Sequence, residues 1–460
     1  MARHRYEIDM CEGPILPKVL QFALPLMLST LLQLMFNAVD MIVVGRFTGS
    51  EALAAVGATG SLINMTICLF IGLATGTNIL VARYYGAQDV KDTTETVHTS
   101  IMLSLIFGVC MAFIGFFVAP YLLTLMGTPE NVLEQAALYT RIYFIGMPMN
   151  ILYNFGSAIM RAVGDTKRPL YFLVVAGVTN VVLNLISVII FKMGVAGVAI
   201  ATVVSQTVSA ILVVLCLIRS DSIYRLYLKK LRVHKDKFFQ ILQIGLPAGV
   251  QSVIFSFSSV LIQSSLNTFG AAAIASSTAA ANVEAMTCDT FANSVYQANL
   301  SFVSQNAGAK KYGRLNRIAW VCAALSVIGS IVLGILTVVF GETLISFYTS
   351  DPAVIELGLR RMRIMMYTRF LLLMMDCMAA NLRGLGYSLL PTIVSITGVC
   401  GLRLVWLFTV FAAFPTLEVL FMSYPITWAL TAAGNLICFL VIRRKLPKHD
   451  AVPETLENLA

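Results

Sequence analysis

The chain has 460 residues, 58 % of them apolar and 12 % charged, with 32 Lys and Arg against 23 Asp and Glu for a net charge of +9. Soluble domains carry about 25 % charged residues. Half that share in a chain this long excludes a cytosolic enzyme, a disordered protein and a secreted disulfide scaffold, and fits a polytopic helical membrane protein.

The excess of positive charge is assigned to loops on the cytoplasmic side, not to nucleic acid. The nine cysteines form no CxxC, and most, such as Cys68, Cys110 and Cys322, sit inside apolar runs. They read as small buried hydrophobes, not disulfides or zinc ligands. In chain order, Met1 to Gly13 carries Glu7, Asp9 and Glu12. That is a poor signal-peptide start, so the first helix is expected to be retained. Runs of about 20 apolar residues, enough to cross the hydrocarbon core, then recur at 15–46, 52–82, 93–119, 132–160, 169–191, 194–218, 237–266, 271–304, 315–339, 354–382, 391–413 and 418–442. Gly, Pro and charge mark the breaks, as in Gly86 to Asp92, Gly164 to Pro169 and Gly308 to Arg317. The organisation is a cytoplasmic N-terminus (1–14), a first lobe (15–218), a basic linker (219–236), a second lobe (237–442) and a cytoplasmic tail (443–460). Twelve spans put both termini on one side. With that side cytoplasmic, 24 of the Lys and Arg fall inside and 5 outside, and Arg141, Arg369 and Arg403 fall within spans. This is a strong positive-inside signal, predicting the plasma (inner) membrane with both ends in the cytoplasm.

The two halves match each other. Pro25, Gly86, Ala87, Arg161, Gly164 and Pro169 recur as Pro247, Gly308, Ala309, Arg383, Gly386 and Pro391, always 222 residues on. An even number of spans per copy keeps both copies in the same orientation, so the repeat is parallel. Two such bundles predict a central cavity and alternating access; the alternative is a duplicated scaffold without a transport role. No Gly-Lys dipeptide occurs, hence no Walker A loop. Transport is therefore expected to use an ion gradient or run downhill. No HExxH occurs, and His4, His98, His234 and His449 lie in or near polar ends, so no catalytic or tightly bound metal is expected.

Four acids fall at membrane depth: Asp40, Glu284, Asp289 and Asp376. A charge there costs about 2.5–3.5 kcal/mol on insertion scales, so each needs a polar cavity or a partner. Gln33, Asn37 and Asp40 are spaced 4 and 3 apart and stack on one helical face. Span five carries Asn180 and Asn184, and span six Thr202 and Ser205. A carboxylate among amides and hydroxyls can hold a proton or an alkali cation and load from one side while releasing on the other. The alternative is a buried Asp that only hydrogen-bonds a helix kinked at Pro25. Asp376 lies seven residues from both Arg369 and Arg383, on about the same face, and its repeat partner is Asn154. It binds cation or substrate, or forms a structural ion pair. Glu284, Asp289 and Asn154 are further candidates for cation or substrate binding; Glu284 and Asp289, five apart on an α-helix, do not share a face and are not expected to act as a pair. The 21 Met suit an adaptable apolar pocket, although Met is common in membrane helices generally.

A wider pattern accompanies these positions: Leu24-Pro25, Asn37-Ala-Val-Asp40, Val44-Gly45-Arg46, Ala52-Leu-Ala-Ala-Val-Gly57, Tyr84-Tyr85-Gly86-Ala87, Met160-Arg161-Ala-Val-Gly164-Asp165 and Lys167-Arg168-Pro169. Phe302-Val-Ser-Gln305-Asn306-Ala-Gly308-Ala309 and Leu382-Arg383-Gly-Leu-Gly386 continue it in the second half. In this order and spacing the chain resembles the multidrug and toxic-compound extrusion (MATE) family over almost its whole length. The resemblance implies an all-α membrane fold of twelve helices in two six-helix lobes forming a V. It also implies efflux of cationic or amphiphilic drugs and toxins in exchange for H⁺ or Na⁺. Family members place a coupling acid in span one, matching Asp40, an Asn and an acid one turn apart in span five, matching Asn180 and Asn184, and a Thr in span six, matching Thr202. Asn184 departs from the Asp that many members carry, which removes one carboxylate. Sodium-coupled members also use an acid in span seven. Here Phe238 to Gly270 contains none, and Asp376 is the candidate counterpart of a span-ten acid. The coupling ion stays open between H⁺ and Na⁺, with H⁺ preferred.

The expected protein is thus a non-enzymatic secondary exporter without cofactor, monomeric, surrounded by membrane lipids and without a nucleic-acid partner. The alternatives are a flippase for lipid-linked sugars or an exporter of one metabolite. An intramembrane aspartyl protease using Asp40 with Asp376 is disfavoured, because the two acids lie in different lobes and neither sits in a Gly-x-Gly-Asp.

Overall fold

The computed structural model describes residues 6–447 and 450; the N-terminal Arg3, His4 and Arg5, and Lys448, His449 and the tail 451–460, lie outside it. Among the described residues there is no strand. The helices are α1 (Ile15–Phe47), α2 (Ser50–Gly86), α3 (Val90–Leu125), α4 (Glu130–Ile145), α5 (Met147–Ala162), α6 (Lys167–Leu185), α7 (Gly194–Ile218) and α8 (Lys235–Asn267). They continue with α9 (Ala271–Glu284), α10 (Thr290–Gly308), α11 (Tyr312–Val339), α12 (Gly341–Ser346), α13 (Pro352–Gly384), α14 (Leu389–Ser395), α15 (Leu402–Trp406) and α16 (Leu417–Lys445). They make twelve spans. α4 and α5 form one, interrupted at Gly146, and α9 runs into α10 through a π-helical turn, Ala285–Asp289. α14 and α15 share another span with π-helical turns at Ile396–Gly401 and Leu407–Phe411, and α6 ends in one at Ile186–Ile190. The short α12 precedes α13.

Nine helical segments among the described residues are long and apolar enough to cross a membrane unaided. The other three spans fall short for separate reasons. α4 and α5 have 16 residues each, below the ~20 a crossing needs, and the run from α9 through α10 is long enough but polar, with Asn282, Glu284, Asp289, Asn293, Gln297 and Asn299 along it. α13 is long but carries Arg360, Arg361, Arg363, Arg369, Asp376 and Arg383. Such a helix is tolerable in a membrane only where its charges find partners inside protein.

The chain forms two compact units. One comprises Met1–Ile8 and Leu28–Gly249, the other Asp9–Met27 and Val250–Ala460. The division falls inside α1 and α8, two residues beyond Pro25 and Pro247, where proline has removed a backbone donor from the helix.

In the first unit, α2 meets the start of α8 across facing glycines. A Cβ on Gly72 would stand 2.2 Å from the backbone nitrogen of Gly249, and one on Gly76 would stand 2.6 Å from the Ile241 carbonyl. Gly72-x₃-Gly76 against Gly245-x₃-Gly249 is the small-residue pattern that lets membrane helices approach closely. The end of α5 is fixed by Gly164, at φ +92°, where a Cβ would stand 2.5 Å from the Ile8 carbonyl. Glu7 accepts hydrogen bonds from Tyr85 (3.0 Å) and Tyr224 (2.7 Å). The second unit holds the next stretch of the N-terminal segment through Asn306, which donates to the Met10 carbonyl (3.0 Å), and Arg314, which donates to the Glu12 and Gly13 carbonyls (3.0 and 2.7 Å).

The internal repeat is visible in the backbone. Gln88 and Lys310, 222 residues apart, both adopt the left-handed conformation, at φ 56° and 54°. Gly164 and Gly386 take φ 92° and 97°.

Candidate functional site

Two polar clusters lie at membrane depth, one in each unit. In the first unit, α1 supplies Asp40, α6 supplies Asn180 and Asn184, and α7 supplies Thr202. One turn of α6 separates the two asparagines, so both face the same way. Asn184 is fully buried; its Nδ2 donates to the Asp40 carboxylate and also to Asn180 Oδ1 (3.2 Å). Asn180 Nδ2 in turn donates to Thr202 Oγ1 (3.5 Å), and Thr202 donates back to the Val198 carbonyl (3.0 Å). Four side chains from three helices thus form one chain of hydrogen bonds ending on a single carboxylate. The buried Oδ1 of Asn184 has no hydrogen-bond partner.

Tyr139 and Tyr143 of α4, in the same unit, stack on each other with ring centroids 6.1 Å apart. Gln206 of α7 donates to the Tyr143 hydroxyl (3.2 Å). Gln33 and Asn37 share the helical face of Asp40 but are exposed, and no hydrogen bond joins them to it. Asn154 is separate: its Nδ2 donates to the backbone and side-chain carbonyls of Asn150.

The second unit is dense in arginine. Glu284, 4 % exposed, accepts hydrogen bonds on its two oxygens from Nε and Nη2 of Arg361 (3.3 Å each) and faces Arg369 at 4.0 Å. Arg369 also pairs with Asp289. The two acids therefore meet on one arginine, contrary to the expectation from α-helical spacing. The π turn Ala285–Asp289 is the cause: its wider ring, closed i to i+5, brings residues five apart to the same side. Asp376 makes no ion pair among the described residues, although Arg383 and Arg369 both act on its charge. Arg383 instead donates to Tyr296 and to Gln251 (2.6 Å each).

α16 completes the cluster. Phe421, Tyr424 and Trp428 form a stripe at spacings of 3 and 4, and each lies under a guanidinium. Arg361 sits 5.5 Å from the Phe421 ring centre, Arg403 4.3 Å from Tyr424 and Arg369 5.6 Å from Trp428. Sequence reasoning overlooked these residues as a site. Arg403 enters the sequence reading only as a charge across the membrane and Arg369 only as a neighbour of Asp376, while aromatics at helical spacing read as ordinary packing. The usable signal was arginine at membrane depth, which carries the same insertion cost as the acids. Among the described residues no cluster of His, Cys, Asp and Glu suits a bound metal ion.

Comparison with known proteins gives a consistent result. The MatE family model matches the chain twice, over residues 25–186 and 247–409. A Bacillus subtilis protein named probable multidrug resistance protein YoeA is 32 % identical over 423 residues, covering 89 % of this chain and 90 % of that protein. The probable multidrug resistance protein NorM of Thermotoga maritima is 28 % identical over 399 residues, 84 % of each. In fold, the chain is similar to a multidrug resistance MATE family transporter solved in an outward-facing conformation. The TM-score is 0.89 at 21 % identity, covering 96 % of this chain and 99 % of that one.

Proposed function

The chain belongs to the MatE family, and from that premise we propose that it is a secondary active multidrug exporter. It moves cationic or amphiphilic small molecules out of the cell in exchange for an ion, by alternating access, without catalysing a reaction. It works as a monomer among the lipids of the plasma membrane, with both termini cytoplasmic. Asp40 is the coupling acid, held by Asn184, Asn180 and Thr202, and the observation that carries this reading is the hydrogen-bond chain ending on that one carboxylate. Asp376, Glu284 and Asp289 contribute to cation or substrate binding in the other unit.

The ion is H⁺. An amide N–H donor, not an oxygen, faces the carboxylate from Asn184. A hard cation such as Na⁺ needs several oxygens around it, whereas a proton needs only the carboxylate. The energetics suffice for a neutral substrate: one charge crossing about 120 mV is worth about 2.8 kcal/mol at 2.3 per 100 mV, which matches the about 2.8 kcal/mol of a hundredfold gradient at 1.4 per decade.

Counterflow of ethidium in proteoliposomes, with a pH gradient and a sodium gradient imposed separately, tests the proposal. Uptake should follow the pH gradient alone and vanish in Asp40→Asn, with the variant inserted at wild-type levels. Full ion-driven transport by Asp40→Asn removes the carboxylate's role, and transport driven only by sodium replaces the ion.

A further inference from the structure

The two polar clusters occupy related places in the repeat and carry opposite charge. Residue 222 positions beyond Asp40 is Ile262, so the carboxylate has no counterpart. The residue 222 beyond Thr202 is Tyr424, and that beyond Asn180 is Leu402. The π turn Ile396–Gly401 adds a residue to the turn just before this point, which brings Arg403, not Leu402, to the face that Asn180 occupies in the first copy. The contacts agree. Asn180 and Asn184 of α6 reach α1 and α7, and Arg403 of α15 reaches Ser258 of α8 (3.4 Å) and Tyr424 of α16 (4.3 Å to the ring centre).

Arg403 differs from its neighbours in lacking an acid. Of the three guanidiniums on the α16 stripe, Arg361 and Arg369 share Glu284 and Asp289. Arg403 is 4 % exposed, forms no ion pair among the described residues, and leaves its Nε without a hydrogen-bond partner. Three cations against two carboxylates leave the cluster one negative charge short, and adding Arg383 and Asp376 leaves the difference unchanged. A buried charge without a counter-charge is strongly disfavoured, and a guanidinium with open donors matches an oxyanion in shape and charge. Tyr424, whose ring faces Arg403 at 4.3 Å, is only half-buried.

We propose that Arg403, with the Ser258 hydroxyl and the Tyr424 ring, is a half-site for an oxyanion, a carboxylate or phosphate group borne by an amphiphilic cargo or supplied as a free ion. This deepens the export reading by adding a class of cargo with an acidic head to the cationic one.

The test is a binding measurement on the full chain in phosphatidylcholine nanodiscs at constant chloride. Thermal unfolding is followed while inorganic phosphate, octanoate or octyltrimethylammonium is titrated. Octanoate or phosphate should raise Tm saturably. A response to octanoate alone assigns the site to cargo, and one to phosphate alone assigns it to a free ion. Arg403→Met should abolish that response and melt no lower than wild type without anion, since it removes an uncompensated buried charge. Its response to octyltrimethylammonium should be unchanged. Arg403→Lys, which keeps the charge but loses the planar fork, should weaken the midpoint about tenfold, a loss of ~1.4 kcal/mol. It decides the matter if Arg403→Met does not fold. Absence of any anion response in wild type, or an equal response in both variants, overturns the proposal. No transport is measured, so a protein that binds anions through Arg403 yet exports nothing would sink the export reading and leave this one standing.

Discussion

Asp40, Asn180, Asn184 and Thr202 were legible in the sequence because spacings of 3 and 4 can be read without coordinates. Their connection could not be read, since it depends on three helices meeting. The connection is ordered: Asn184 touches the carboxylate, Asn180 touches Asn184, and Thr202 touches Asn180. Loss of ion-driven efflux should follow that order. Asn184→Ala removes a charge-assisted donor, worth about 1.5–3 kcal/mol, and should slow transport at least about tenfold. Thr202→Ala, two bonds away, should cost less than about threefold, the equivalent of a weak neutral hydrogen bond. Initial rates of ethidium efflux at matched expression measure both, and an equal loss in the two variants would refute the ordering. The acids of the second unit separate by burial. Glu284 is held by two arginines at 4 % exposure, whereas the Asp289 side chain is 47 % exposed. Breaking a buried pair costs about 3–5 kcal/mol, and an exposed one about 0–1 kcal/mol. Glu284→Gln should therefore lower the melting temperature of the detergent-solubilised protein far more than Asp289→Asn does.

At the scale of the helices, hydropathy located all twelve spans but not their interruptions. Gly146 and the four π-helical turns leave no mark on a run of apolar residues, and a π turn is what moves Asp289 onto Arg369. Reading every span with a period of 3.6 is right for α1 and α6, where the Asp40 cluster lies, and wrong by one residue after each π turn. The second unit's site was hidden for that reason, and also because Arg361 and Arg403 were weighed for topology only and Arg369 only against Asp376. Glycine pairs are more readable. Gly72 and Gly76 have a required neighbour in α8, whereas Gly57 on the same helix has no atom within 4 Å of a built Cβ. Gly72→Ala drives a methyl into backbone that has no rotamer to yield, and overpacking of this kind costs about 1–3 kcal/mol. Gly57→Ala should be neutral or stabilising by up to about 1 kcal/mol, the helix-propensity gain. Fluorescence-detected gel filtration after a heat ramp compares the two, and equal Tm values would show that α2 and α8 do not pack as described.

For the molecule as a whole, orientation follows from charge more than from any contact. Six spans per repeat force the two copies to insert the same way, so one basic loop in the wrong place would penalise both. The turns after Gly86 and Gly308, with their matching left-handed residues, must lie on one side. That side also carries the linker with Lys229, Lys230 and Arg232. Holding 24 of 32 Lys and Arg there is the distribution the positive-inside rule expects of a cytoplasmic face, while the loops before α4 and α13 carry no base, and Glu130 and Asp351 stand at their ends. In a cysteine-free background, Glu130→Cys and Ser350→Cys should react with a membrane-impermeant maleimide on intact cells. Lys91→Cys and Asp221→Cys, exposed but on the other face, should react only after permeabilisation. Labelling of Asp221→Cys from outside would invert the expected orientation, and with it the direction of the exchange proposed at Asp40. Labelling of only one member of either pair would break the even count of spans on which the parallel repeat depends.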